Sequence, residues 1–455
     1  MTAGQVLIRG GRVIDRAGER RLDVLLDRGR VAAVGTDFDD DADEHSGCDV
    51  LDASGCVVSP GFVDLHAHLR EPGREEAETI ETGCRAAALG GYTAVVAMPN
   101  TEPAQDERGV VEFVRRQGER AGLCEVLPAG CITIGRAGEA LAPFFELAAA
   151  GVRIFTDDGN GVQDPLLMRR AMEYSLGLDM VLAQHCEVAR LTERAVMHEG
   201  RCCSELGLRG WPALAEELMV HRDLELAKLT GARLHLLHLS TAGSVDLVRR
   251  AKADGVAVTA EAAPHHFCLT DEQLRSYDAV FKVNPPLRTA DDVAAIKAGL
   301  ADGTIDAIAT DHAPHPTAEK ERPLDEAPPG MLGLETALGV ALAELDLPLV
   351  DVVGLLSWKP AEIAGVADRH GTNVEPGNAA NLVVFDPDAT WSVRPGMLAS
   401  RSRNTPYGGR ELRGKVRHTI FQGVPVVQDC TVLSGADVLS GANRPIRSIA
   451  RGRTA

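Results

Sequence analysis

From residue 60 onward the chain alternates short apolar runs, rich in small and β-branched residues, with longer amphipathic segments, and it does so eight times. The runs are Phe62–His66, Thr93–Met98, Glu125–Cys131, Val152–Thr156, Met180–His185, Arg233–His238, Val256–Glu261 and Asp306–Asp311. Helical patterns separate most of them, at Glu78–Leu89, Gly109–Ala121, Leu141–Ala150, Ala213–Leu229, Ala242–Asp254 and Ala290–Ala301. Turn-bounded runs spaced by helices predict βα units on a parallel sheet. Eight units in roughly 250 residues predict a (β/α)8 TIM barrel. An open doubly wound sheet is the alternative, and the count of eight favours the barrel.

The flanks read differently. Residues 1–59 are short apolar stretches broken by Gly and Asp, the hairpin pattern, with an acidic insert at Asp37–Gly47 that reads as a solvated loop. Strand-like pattern returns at Ala380–Asp386 and Lys415–Val424. The expected organisation is therefore α/β: a barrel over 60–370, and a small β-sandwich built from 1–59 and 371–430. The polar stretch 431–455 is expected to be a loosely attached tail.

Charge narrows the partners. The formal net charge is −19, a surface that repels nucleic-acid phosphates and anionic lipid. The N-terminal residues lack a signal peptide's apolar segment, and no apolar run reaches about 18 residues. The ten cysteines are scattered without a CxxC pair, so reduced thiols in the cytoplasm are expected.

Chemistry gathers where the predicted strands end. The first carries His66 and His68, which point the same way on a strand. The fourth ends in Asp157–Asp158, the fifth at His185, the sixth at His238 and the eighth at Asp311. In a barrel these ends share one face, the face on which active sites sit. Four His and two or three Asp form a nitrogen/oxygen ligand set suited to Zn2+ or a similar ion. They exceed what one catalytic zinc uses, so two metals bridged by a carboxylate are expected. Alternation lets only one of Asp157 and Asp158, and only one of His235 and His238, reach the site, without saying which.

The motifs DLHAHLREPG (64–73), GGYTAVVAMPNT (90–101), FTDDG (155–159), AQHCE (183–187), HLLHLST (235–241), EAAPHH (261–266), NPPLR (284–288) and ATDHAPH (309–315) resemble those of the type I dihydroorotases of the amidohydrolase superfamily. The resemblance runs from about residue 5 to 430. It implies one metal on His66, His68 and Asp311, the other on His185 and His238, and Asp158 bridging two zinc ions. It implies substrate contacts from His68, Arg70, Asn100, Asn284, His315, Pro329 and Gly330. It assigns Asp311 the proton transfer from attacking water to leaving nitrogen, in the interconversion of (S)-dihydroorotate and N-carbamoyl-L-aspartate of pyrimidine (UMP) biosynthesis. A homodimer, and association with another enzyme of that pathway, are further implications.

Several relatives bridge their metals with a carboxylated lysine. This chain's first lysine is Lys228, far beyond the fourth strand. That absence favours the Asp-bridged subgroup over the hydantoinases, dihydropyrimidinases and allantoinases. A full ligand set likewise argues against an inactive scaffold homologue. The long Pro- and charge-rich segment His312–Gly333 reads as a lid or binding loop.

Overall fold

The computed structural model describes residues 5–36, 38 and 48–433. Each of the eight apolar runs holds a strand: Phe62–Ala67, Tyr92–Ala97, Glu125–Pro128, Ile154–Phe155, Val181–Gln184, Leu234–Leu236, Val258–Ala262 and Ala307–Ile308, the first to eighth in chain order. Every pairing between neighbours is parallel, linking the first three strands in one sheet and the fourth to eighth in another. Isolated parallel bridges, Gly130 to Phe155 and Ala67 to His312, lie across the two gaps.

The helices follow the amphipathic segments: Ile80–Leu89, Arg108–Ala121, Phe144–Ala149, Leu214–Thr230, Ala242–Ala253 and Ala290–Asp302. Helix Pro165–Ser175 after the fourth strand was not among the expected segments. Its start is written locally instead, because Asp164 accepts from the amides of Leu166 and Leu167 and Pro165 occupies the first turn. Helices Ala337–Glu344, Leu349–Leu356 and Trp358–Ile363 follow the eighth strand.

Two apolar layers flank the strands. Val63, Leu65, Ala94, Val96, Met98, Ile154, Ala183, Ala307 and Ala309 form one cluster drawn from five different strands. Alanine and valine make up most of it, and Ala361 and Ile363 of the C-terminal helical region join it. The larger cluster mixes strand residues such as Val95 and Leu182 with helix residues such as Cys84, Val114 and Val248.

The two flanks meet in one structure. Val57–Pro60 pairs antiparallel with Leu382–Phe385 inside a seven-stranded sheet that also holds Arg12–Asp15 and Glu411–Phe421. A four-stranded sheet contains Val6–Arg9, Asp23–Asp27, Arg30–Gly35 and Asp49–Asp52. Alternation divides the larger sheet's two faces. Val58, Leu382 and Val384 pack with Val6, Ile8 and Leu26, whereas Val57, Val383 and Phe385 join the main core. The flank sheet is thus apolar on both faces.

One expectation needs correction. Thr431–Val432 is not loose tail but a short strand paired with Val427–Gln428, because its backbone continues the sheet's ladder. The His312–Gly333 segment, read as a lid or binding loop, carries a short helix, Thr317–Lys320, and several of its carbonyls accept from the side chains of Lys282 and Lys320. The acidic insert Asp37–Gly47, apart from Phe38, and the tail beyond 433 lie outside the described residues. Among the described residues no helix is long and apolar enough to cross a membrane.

Candidate metal centre

The functional side chains come from strand ends. His66 lies in the first strand, beside a register irregularity that runs to Ala67, and His68 lies just past its end. Asp158, His185, His238 and Asp311 follow the fourth, fifth, sixth and eighth strands within three residues. Arg70, His238 and Asp311 all have positive φ, at 62°, 31° and 46°. Such conformations cost energy in non-glycine residues and collect at functional sites.

Asp158 is the hub. Its Oδ1 lies 3.4 Å from His66 Nε2, 3.5 Å from His185 Nδ1 and 3.6 Å from His238 Nε2. Its Oδ2 lies 3.5 Å from His68 Nε2. Asp311 Oδ1 stands 3.2 Å from His68 Nε2 and 3.5 Å from His66 Nε2. Two ligand groups result, His66–His68–Asp158 and Asp158–His185–His238, with Asp158 in both.

Three of the imidazoles are held by their other nitrogen. His66 Nδ1 donates to Glu261 Oε1 at 2.9 Å, His68 Nδ1 to Asn100 Oδ1 at 2.9 Å, and His185 Nε2 to Glu187 Oε2 at 2.9 Å. This outer-shell pattern fixes the tautomer of metal-binding histidines. The freed nitrogens fit cations. His66 Nε2 is buried with no hydrogen-bond partner among the described residues, and His185 Nδ1 faces His238 Nε2 at 2.9 Å.

Charge points the same way. Burial opposes ionisation of Asp158, but His66, His185 and His238 outweigh it and hold its pKa far below the usual range. Burial likewise opposes the charged form of His66, and the Asp158 and Asp311 carboxylates reverse that and raise its pKa. The two carboxylates thus favour positive charge among the clustered imidazoles.

A cavity of about 200 Å3 opens beside the cluster. Every expected substrate contact lines it: His68, Arg70, Asn100, Asn284, His315, Pro329 and Gly330. Arg70 Nε donates to Pro314 O, and its Nη2 lies 3.3 Å from His315 Nε2. Burial lowers the Arg70 pKa only to about 10, so the guanidinium is charged at neutral pH. Burial and the Arg70 charge push His315 down to about 2, leaving it neutral. Gly330 has φ of 143°, and a Cβ there would stand 2.8 Å from Ala313 Cβ and 2.9 Å from His315 Cδ2, so only glycine fits.

Asp157 and His235 point elsewhere. Asp157 Oδ1 accepts from the amides of Ile132 and Thr133. His235 Nε2 donates to Glu261 Oε2 at 3.0 Å and its Nδ1 meets Thr259 Oγ1. Sequence reasoning missed Glu187 and Glu261, although AQHCE ends in the first and EAAPHH opens with the second. It also missed Arg136, whose Nη2 donates to Asp158 O at 2.6 Å.

In solved structures the same fold recurs. The L-hydantoinase (dihydropyrimidinase) of Arthrobacter aurescens superposes with a TM-score of 0.83 at 24% identity, covering 94% of this chain and 97% of that one. The dihydropyrimidinase of Brevibacillus agri gives 0.81 at 22% identity, over 95% and 97%. Sequence is more specific. Residues 55–244 match the "Dihydro-orotase-like" family model. The dihydroorotase of Streptomyces coelicolor is 51% identical over 431 residues, 93% of this chain and 99% of that protein. That of Mycobacterium tuberculosis is 50% identical over 437 residues, 93% and 98%. The chain belongs to the dihydroorotase family.

Proposed function

We propose that this enzyme interconverts (S)-dihydroorotate and N-carbamoyl-L-aspartate in pyrimidine biosynthesis, the activity that the dihydroorotase names of its relatives describe. The carrying observation is the single Asp158 carboxylate with four imidazole nitrogens at 3.4–3.6 Å, two from each half of a bipartite ligand set. We place the centre on a closed (β/α)8 barrel, residues 60–370, with a β-sandwich from 1–59 and 371–430. The bridges across both sheet gaps support closure.

His66, His68 and Asp311 would hold one divalent ion, His185 and His238 the other, and Asp158 both. Zn2+ suits these donors. When bound, such ions lower the pKa of water and polarise an amide carbonyl. Arg70 clamps the substrate carboxylate with its planar fork, beside neutral His315. Asn100 and Asn284 offer amide groups to the ring. Asp311, against His68 and facing the cavity, carries the proton from attacking water to the leaving ring nitrogen. We further read the enzyme as a cytoplasmic homodimer, with a place beside another enzyme of the same pathway.

Metal analysis with a substrate panel tests the reading. About two ions per chain are expected, with dihydroorotate turned over faster than dihydrouracil, hydantoin or allantoin. Faster opening of an uncharged ring would overturn the substrate assignment.

A further inference from the structure

Two buried lysine amino groups, Lys320 and Lys282, sit in the loops over the cavity and take no part in the metal cluster. Lys320 Nζ donates to Pro328 O at 3.0 Å, Gly330 O at 3.1 Å and Lys282 O at 3.4 Å. Lys282 Nζ donates to Leu324 O at 2.7 Å and Asp325 O at 3.2 Å. Gly330 N donates back to Lys282 O at 2.9 Å. The loop that carries Pro329 and Gly330 is thus stitched to the segment that carries Val283 and Asn284, and all four residues line the cavity.

Holding the loops together does not require lysines. Leu324 and Ala327 already pack against Leu274 and Ala279 in an apolar cluster. Burial and the neighbouring Lys282 bring the Lys320 pKa down to about 7, and an ammonium kept here is costly unless its donors are met. What it adds is direction. By drawing in the carbonyls of Pro328 and Gly330, Lys320 leaves the carbonyl between them, Pro329 O, turned toward His315 Nε2 at 2.9 Å. His315 in turn neighbours Arg70.

We propose that Lys320 is a positioning residue for dihydroorotate binding: its three carbonyl contacts orient the Pro329 peptide, and through it His315, against the Asn284 side of the cavity. The inference rests on the reading of the cavity as the dihydroorotate site. Lys320 touches neither metal ligands nor substrate, so its removal acts on binding.

The test uses the full-length, metal-loaded enzyme and compares wild type with Lys320→Met and Lys320→Arg. Lys320→Met is expected to raise KM for dihydroorotate about tenfold with a smaller change in kcat and unchanged metal content. Lys320→Arg, which keeps N–H donors at that position, should recover much of the KM. Should Lys320→Met not fold, Lys320→Gln, whose shorter side chain cannot reach the three carbonyls together, is read in its place and is expected to show the same KM rise. An unchanged KM in whichever variant is read, or a loss confined to kcat, overturns the inference. A wild type inactive on dihydroorotate overturns the functional reading instead, which the same assay shows before any variant is read.

Discussion

Glu261 Oε1 lies 2.9 Å from His66 Nδ1, and its other oxygen lies 3.0 Å from His235 Nε2. One buried carboxylate therefore decides which nitrogen of His66 faces the centre. Its Oε1 also accepts from the backbone amide of His238 at 3.3 Å, so it touches ligands of both halves. Burial alone would raise the Glu261 pKa, but His235 and His66 bring it to about 2, and it stays ionised.

Replacing that carboxylate should loosen the metals. Glu261→Gln keeps the shape but turns an amide N–H2 toward one of two ring donors. Metal affinity is expected to fall about 10–100-fold, measured as ion content after dialysis against graded chelator. Wild-type retention would show that His66 needs no such anchor.

The adjacent aspartates separate metal binding from stability. Asp158→Ala removes the carboxylate common to both ligand groups and should abolish metal binding and activity. Asp157→Ala leaves the amides of Ile132 and Thr133 without their buried acceptor, a cost of about 1–3 kcal/mol for each unsatisfied group. It should melt earlier yet keep its metal. Equal metal loss in both variants would refute the division.

Arg70 is expected to read charge. Hydrogen bonds to charged groups are worth about 1.5–3 kcal/mol, and each 1.4 kcal/mol is tenfold. Arg70→Met should thus raise KM for dihydroorotate about 10–100-fold while sparing turnover of dihydrouracil. Parallel losses on both substrates would mean that Arg70 serves the fold, through its bond to Pro314 O, rather than the carboxylate.

The frame of this protein was readable because its signals are local. Eight apolar runs became eight strands, and the His and Asp residues at their ends converge. Alternation posed the choices within Asp157/Asp158 and His235/His238 but could not resolve them, since the fourth strand spans only Ile154–Phe155 and His238 adopts positive φ. The supporting residues were harder. Glu261 sits inside a strand, where a lone acidic residue reads as a polar face. Lys320 sits in a charged loop, where a lysine reads as solvated. Their roles depend on partners distant in sequence, such as His66 and Lys282, and periodicity carries no record of those.

The acid limit of stability should involve Glu125, at the start of the third strand. Its carboxylate accepts from Arg369 Nη2 at 2.8 Å, Arg369 Nε at 2.9 Å and His370 Nε2 at 2.7 Å. Burial pushes its pKa up, but His370 and Arg369 outweigh burial and bring it from 4.5 down to about 2. A carboxylate with a depressed folded pKa contributes stability above its unfolded pKa, and loses that contribution as pH falls through the folded value. The Glu125 contribution is therefore present above about pH 4.5 and fades toward about pH 2. Urea midpoints of wild type and Glu125→Gln should differ most near neutral pH, and the gap should narrow steadily through that window. A gap that stays constant from neutral pH to about pH 3 would show that ionisation of Glu125 is not what ties the third strand to the Arg369–His370 segment.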